Sequence, residues 1–109
     1  MLEGMKDMAN AMKMLGQLGK MKDNIAAAQE RAKRRVVSGE AGAGLVKVDA
    51  NGIGEVLRVT IDPDTLKDAA ELSALIVSAT NAALTRSKEV MVEETSAAMG
   101  GLDLPPGMV

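Results

Sequence analysis

The 109-residue sequence contains no cysteine, histidine, phenylalanine, tyrosine or tryptophan. Each absence removes a class of function. Without cysteine there is no disulfide, no thiolate nucleophile and no cysteine metal ligand, which fits a reducing compartment. Without histidine the commonest general base and metal ligand is missing. Without aromatic rings there is no platform on which single-stranded bases could stack. No apolar run reaches the roughly 18 residues of a membrane span. Glu3, Lys6, Asp7 and Lys13 interrupt the opening segment, so it lacks a signal peptide's apolar stretch. The expectation is a soluble cytoplasmic protein of one domain, without membrane, metal, cofactor or small-molecule substrate. Its core must be built from Leu, Val, Ile, Ala and nine Met, the flexible gap-fillers.

What is present is unevenly charged. The chain carries a net −2, with eight basic residues against four acids in positions 1–35 and five against eleven in 36–109. The basic end also carries a helical pattern. Met5, Met8, Met12 and Leu15 repeat at 3,4,3 spacing, and Leu18, Met21, Ile25, Ala28 and Ala32 continue the stripe. The shortened step from Leu15 to Leu18 shifts that stripe around the axis. Residues 1–35 therefore read as one helix of about 50 Å. Gly4, Gly16 and Gly19 should fray its tip, leaving firmer helix from Met21 to Arg34.

The period then changes. Val36-Val37-Ser38 reads as a short strand, Gly39 to Gly44 as a glycine-rich turn, and Leu45–Ala50 as a second strand. Asn51-Gly52 is a strong two-residue hairpin signal, and Gly54–Ile61 is the third strand. Such a turn puts Val46, Val48, Leu57, Val59 and Ile61 on one face, with Leu45, Lys47, Val56 and Arg58 on the other. Neither face is purely polar, so the three-stranded meander of residues 36–62 should take helix on one side and another subunit on the other. Asp62-Pro63 stops the strand and caps a second helix over 63–99, whose stripe is Leu72, Ile76, Ala79, Ala83, Val90 and Met91. Residues 100–109, with two prolines, should form a flexible tail. The fold class is α+β: long helix, antiparallel meander, long helix.

Few residues can carry catalysis. Gly39, Gly42 and Gly44 form G-x-x-G-x-G ahead of a strand, whereas phosphate loops run from strand into helix, so these glycines read as a turn or a close backbone approach. Asp62, Asp64 and Asp68 lack the glycine and the terminal Glu of a calcium loop and read as helix caps. Glu93 and Glu94 are adjacent on a helix and point to different sides, so they do not make an acid–base pair. No serine sits in a nucleophile elbow. The chain does not read as an enzyme.

The basic residues say more. Lys6, Lys13 and Lys20 repeat every seven residues, and Arg31 follows eleven later. All four fall within about 40° of one another on a helix. Such a ridge is either a solvated face or a surface for phosphates. Lys33-Arg34-Arg35 at the helix end adds cations that suit phosphate and also complement the helix C-terminus. A different class of reading is a dimeric interaction adaptor, in which Met-lined helices grip a partner protein and the ridge merely solubilises them.

One resemblance favours the phosphate reading. The order of elements, with SGEAGAGLVKVDANGIGEVLRVTIDPDTL and the terminal LDLPPGM, resembles the YbaB/EbfC family of bacterial nucleoid-associated proteins. The likeness spans nearly the whole chain and is most specific in G-E-A-G-A-G-L-V-K-V, N-G and V-x-I-D-P. It implies a tweezer-like homodimer joined through its sheets, with long helices gripping double-stranded DNA at the nucleoid. The candidate DNA contacts are then Lys6, Lys13, Lys20, Lys22, Arg31, Lys33, Arg34 and Arg35 on the first helix, and Arg86 and Lys88 on the second. The candidate dimer face carries Leu45, Lys47, Val56 and Arg58.

Overall fold

A computed structural model describes residues 2–99. Helix α1 (Leu2–Arg34) is followed by strands β1 (Val36–Ala41), β2 (Val46–Asn51) and β3 (Val56–Ile61). A single 3-10 turn (Pro63–Lys67) then leads into helix α2 (Ala69–Ala98). The three strands form one antiparallel sheet in the order β1-β2-β3. The described chain is long and thin, 80 × 25 × 19 Å.

The core is small and lies between the sheet and α2. Val46, Val48 and Ala50 on β2 are fully buried against Ala79 and Ala83 of α2, with Val37, Ala41, Leu72, Leu75 and Ile76 packed around them. Small residues line this contact for a reason found in β1. A Cβ on Gly39 would lie 2.4 Å from the Ala79 carbonyl oxygen and closer still to the Ala83 nitrogen. Helix backbone thus rests on strand backbone, which only glycine permits. The expected glycine turn at 39–44 accordingly shrinks. Gly39 belongs to β1, and the turn begins at Gly42, whose carbonyl accepts from the Leu45 N–H at 3.3 Å.

The Asn51-Gly52 hairpin also differs from the two-residue turn expected of it. The loop is wider, closing where the Asn51 N–H donates to the Glu55 carbonyl at 2.9 Å. The buried Asn51 carboxamide holds it, accepting from the Ile53 and Glu55 N–H groups and donating to the Glu55 carboxylate at 2.8 Å. Gly52 is freed to face α1, and its N–H donates to the Ala32 carbonyl at 2.8 Å. The hairpin thereby caps the end of the long helix. A Cβ there would meet that same carbonyl oxygen at 2.6 Å. The NG pair serves a tertiary contact here.

Three other expectations change. The second helix is divided: Asp62 caps the 3-10 turn, and Asp68 caps α2 by accepting from the Ala70 and Glu71 N–H groups at 3.1 Å. Helix α1 is continuous from Leu2 through Gly4, Gly16 and Gly19, because glycine keeps the helical hydrogen bonds and costs only propensity. Finally, α2 covers β1 and β2 but not β3. Val59 pairs with Val48 and shares its face, yet is 42 % exposed. The uncovered apolar surface thus lies on α2's own side of the sheet, beyond the helix. The tail predicted for 100–109 falls outside the described residues.

Candidate nucleic-acid interface

Two features of α1 set the site. Its last turns pack on α2, burying Ala28 and Ala32 completely. Positions 4–24 are exposed throughout, forming an arm of about 31 Å at 1.5 Å per residue. The sequence explains the switch: alanines sit where the helix meets α2, whereas Met and Lys dominate where it meets solvent.

Lys6, Lys13 and Lys20 lie exposed along this arm, in the sector that also holds Arg31. Lys22, Lys33 and Arg34 are exposed on other sides of the same helix. The cations divide by chemistry. Among the described residues, the ion pairs are confined to the junction of the two helices. Arg31 Nε donates to Glu94 Oε2 at 3.0 Å, and Arg35 reaches Glu94 Oε1 at 3.1 Å and Glu93 Oε2 at 2.9 Å. Hydrogen bonds from Arg31 and then Arg35 hold the Glu94 carboxyl below the usual glutamate range. Bonding to Glu93, then to Glu94, raises the already high pKa of Arg35. Glu93 and Glu94, expected to point apart, therefore converge on one guanidinium. Their role was hidden in a sequence that separates them from Arg35 by more than fifty positions. Its only trace was the opposition of a basic α1 end and an acidic α2.

The second-helix candidates occupy different environments. The Arg86 guanidinium donates to the Ser38 carbonyl and staples α2 to β1. Lys88 is exposed and borders a shallow groove of about 270 Å³ lined by Ile53, Leu84, Ser87 and Met91. Glu93 and Glu94 therefore engage Arg31 and Arg35, while Lys6, Lys13, Lys20 and Arg34 are left to solvent.

The four residues expected on the dimer face are separated. A bulge opposite Asp49 and Ala50 skips Leu57, so Val56 pairs with Ala50 and joins Val59 on α2's side of the sheet. Lys47, paired with Glu40 and Thr60, and Arg58, paired with Asp49, occupy a charged opposite face. Leu45 lies beside Leu75 at the Gly42 turn. The alternation read from the sequence fails at the bulge, which sequence periodicity does not reveal.

Among the described residues no helix is long and apolar enough to cross a membrane. The sequence model of the YbaB/EbfC DNA-binding family matches residues 5–102. A nucleoid-associated protein of Akkermansia muciniphila is 39 % identical over 101 residues, which cover 91 % of this chain and 97 % of that protein. One of Chlorobium luteolum is 40 % identical over 102 residues, covering 94 % and 91 %. The fold also matches the crystal structure of an uncharacterised Helicobacter pylori protein, with a TM-score of 0.72 at 26 % identity, over 80 % of this chain and 94 % of that one.

Proposed function

The chain belongs to the YbaB/EbfC DNA-binding family, and from this we propose that it binds duplex DNA through the phosphate backbone, with little or shape-based sequence preference. The observation that supports this most is the exposed row of Lys6, Lys13 and Lys20 on a projecting arm. Lysine meets phosphate as a point charge and reads no base edge. The described residues present no aromatic platform, which favours duplex over unpaired strands. Binding of this kind fits a cytoplasmic protein that resides on the nucleoid and influences its organisation and gene expression. The family is a DNA-binding one, not a class of enzymes.

We further infer a homodimer, with its surface moved from Lys47 and Arg58 to the β3 edge. Val56, Leu57 and Val59 are 46, 53 and 42 % exposed on an edge strand whose outer hydrogen-bonding groups face no neighbour in the sheet. An apolar, unpaired edge invites a second strand. Pairing there would set two arms on one particle, giving about six lysine–phosphate contacts.

Fluorescence anisotropy of a labelled duplex tests the interface. Reversing Lys13 and Lys20 to Glu should weaken binding by at least tenfold at about 50 mM salt and flatten the salt slope. Unchanged affinity in a helical, dimeric double variant would move the site off the arm.

A further inference from the structure

The arm carries a second surface that phosphate binding does not use. Leu18, Met21, Ile25, Ala28 and Ala32 follow the side of α1 turned toward α2, where Ala28 and Ala32 are buried. The three-residue step after Leu15 breaks that line. Met5, Met8, Met12 and Leu15 consequently face roughly 140° away around the helix axis, clear of α2 and about 120° from the lysine row. All four are 68–71 % exposed.

The surroundings of this seam indicate what covers it. Its spacing of 3, 4 and 3 is that of a helix packing knobs into the holes of another helix. Its borders are small, with Gly4 and Ala11 on one side and Ala9 and Gly16 on the other. No neighbour lies within 4 Å of a Cβ built on Gly4 or Gly16. Such borders let a second helix backbone come close, whereas a phosphate surface would place cations there. Charge points the same way. Residues 2–16 hold two lysines against two acids, while 17–35 hold six basic residues against two acids. The tip has no net charge, so two tips do not repel each other, and the net positive charge of the first 35 residues lies in 17–35.

We propose that the Met5–Leu15 seam is a self-association surface, on which the arm tip of a second copy packs helix to helix. Two heptads bury less than the roughly 1,200 Å² of a stable interface, so one pair of tips is weak. A particle with two arms gains from effective concentration, and DNA that gathers many particles raises it further. The seam would then link particles already joined through β3 and tie separate duplex segments together. It needs neither the lysine row nor the β3 pairing, so its failure and theirs are distinguishable.

Sedimentation velocity over a concentration series, without DNA, tests it. Wild type should rise above the mass of its smallest stable particle as concentration increases. Met8→Glu/Met12→Glu should stay at that mass throughout. Met14→Glu is the control, since Met14 is equally exposed on the same arm but lies in the sector of the α2-facing stripe. It should associate as wild type does. Because the chain has no cysteine, single Met8→Cys and Met14→Cys variants report contact directly, and only Met8→Cys should cross-link efficiently on mild oxidation. A wild type that never rises in mass would overturn the proposal. So would equal loss from Met14→Glu, which would mark general stickiness, or equal cross-linking at both positions.

Discussion

Replacing Glu93 and Glu94 together by Gln isolates the clasp that occupies Arg31 and Arg35 where the first helix meets α2. In the folded chain Arg31 and Arg35 spend their guanidinium donors on these carboxylates, at 2.9 to 3.1 Å. A phosphate approaching either arginine must compete with these carboxylates for its charge. Glutamine keeps size and helix propensity but removes the charge, which frees two cations per chain and about four per dimer. Each phosphate newly neutralised adds about 0.9 to the slope of log K against log salt. The double variant should therefore steepen the slope by up to about 3.6. Each added contact contributes roughly a 3.5-fold difference between 50 and 200 mM salt, so the gain in affinity should be large at low salt and fade at high salt. Anisotropy titrations at four salt concentrations, with circular dichroism as a fold check, measure both quantities. An unchanged slope would mean that Arg31 and Arg35 act only in joining α1 to α2, and that the lysines alone meet DNA. Tighter binding with the same slope would refute the counterion reasoning itself.

Three further outcomes follow from the packing and capping. Gly39→Ala drives a methyl group into the backbone of α2, which cannot rotate aside, and should lower unfolding free energy by about 1–3 kcal/mol in urea titrations; a loss below about 0.5 kcal/mol would contradict the close approach. Asp68→Ala removes the acceptor for the Ala70 and Glu71 N–H groups and should cost about 1 kcal/mol by the same assay, with Asp68→Asn recovering most of it. The depressed Glu94 carboxyl makes the clasp sensitive to acid. Its contribution is fully present above the ordinary glutamate pKa of about 4.3 and is lost as pH falls through the lower folded value. The stability difference between wild type and Glu94→Gln should accordingly be seen at pH 7 and vanish in strong acid; a difference that grew on acidification would reverse the assigned direction.

The sequence made much of this legible because its periods are local. The 3,4,3 stripe and the alternation of Val46 and Val48 announce helix and strand directly, and the shortened step after Leu15 foretells two differently facing stripes on one helix. What it concealed depends on partners distant in the chain. Gly39 and Gly52 look like turn formers, yet each is glycine because a helix backbone crosses it. The bulge that turns Val56 toward α2's side of the sheet leaves no trace in an alternating pattern. Arg31 and Arg35 read as free cations until α2 brings Glu93 and Glu94 beside them. The basic ridge was visible, but which of its members remain available for phosphate is a tertiary fact.

The most direct measurement is the salt dependence of wild-type binding to two unrelated duplexes of equal length. Six lysine contacts from a two-armed particle require a slope near −5 on both, with affinities within a few-fold of each other. Absence of binding at about 50 mM salt, or a shallow slope with strong preference for one sequence, would contradict a backbone-reading arm.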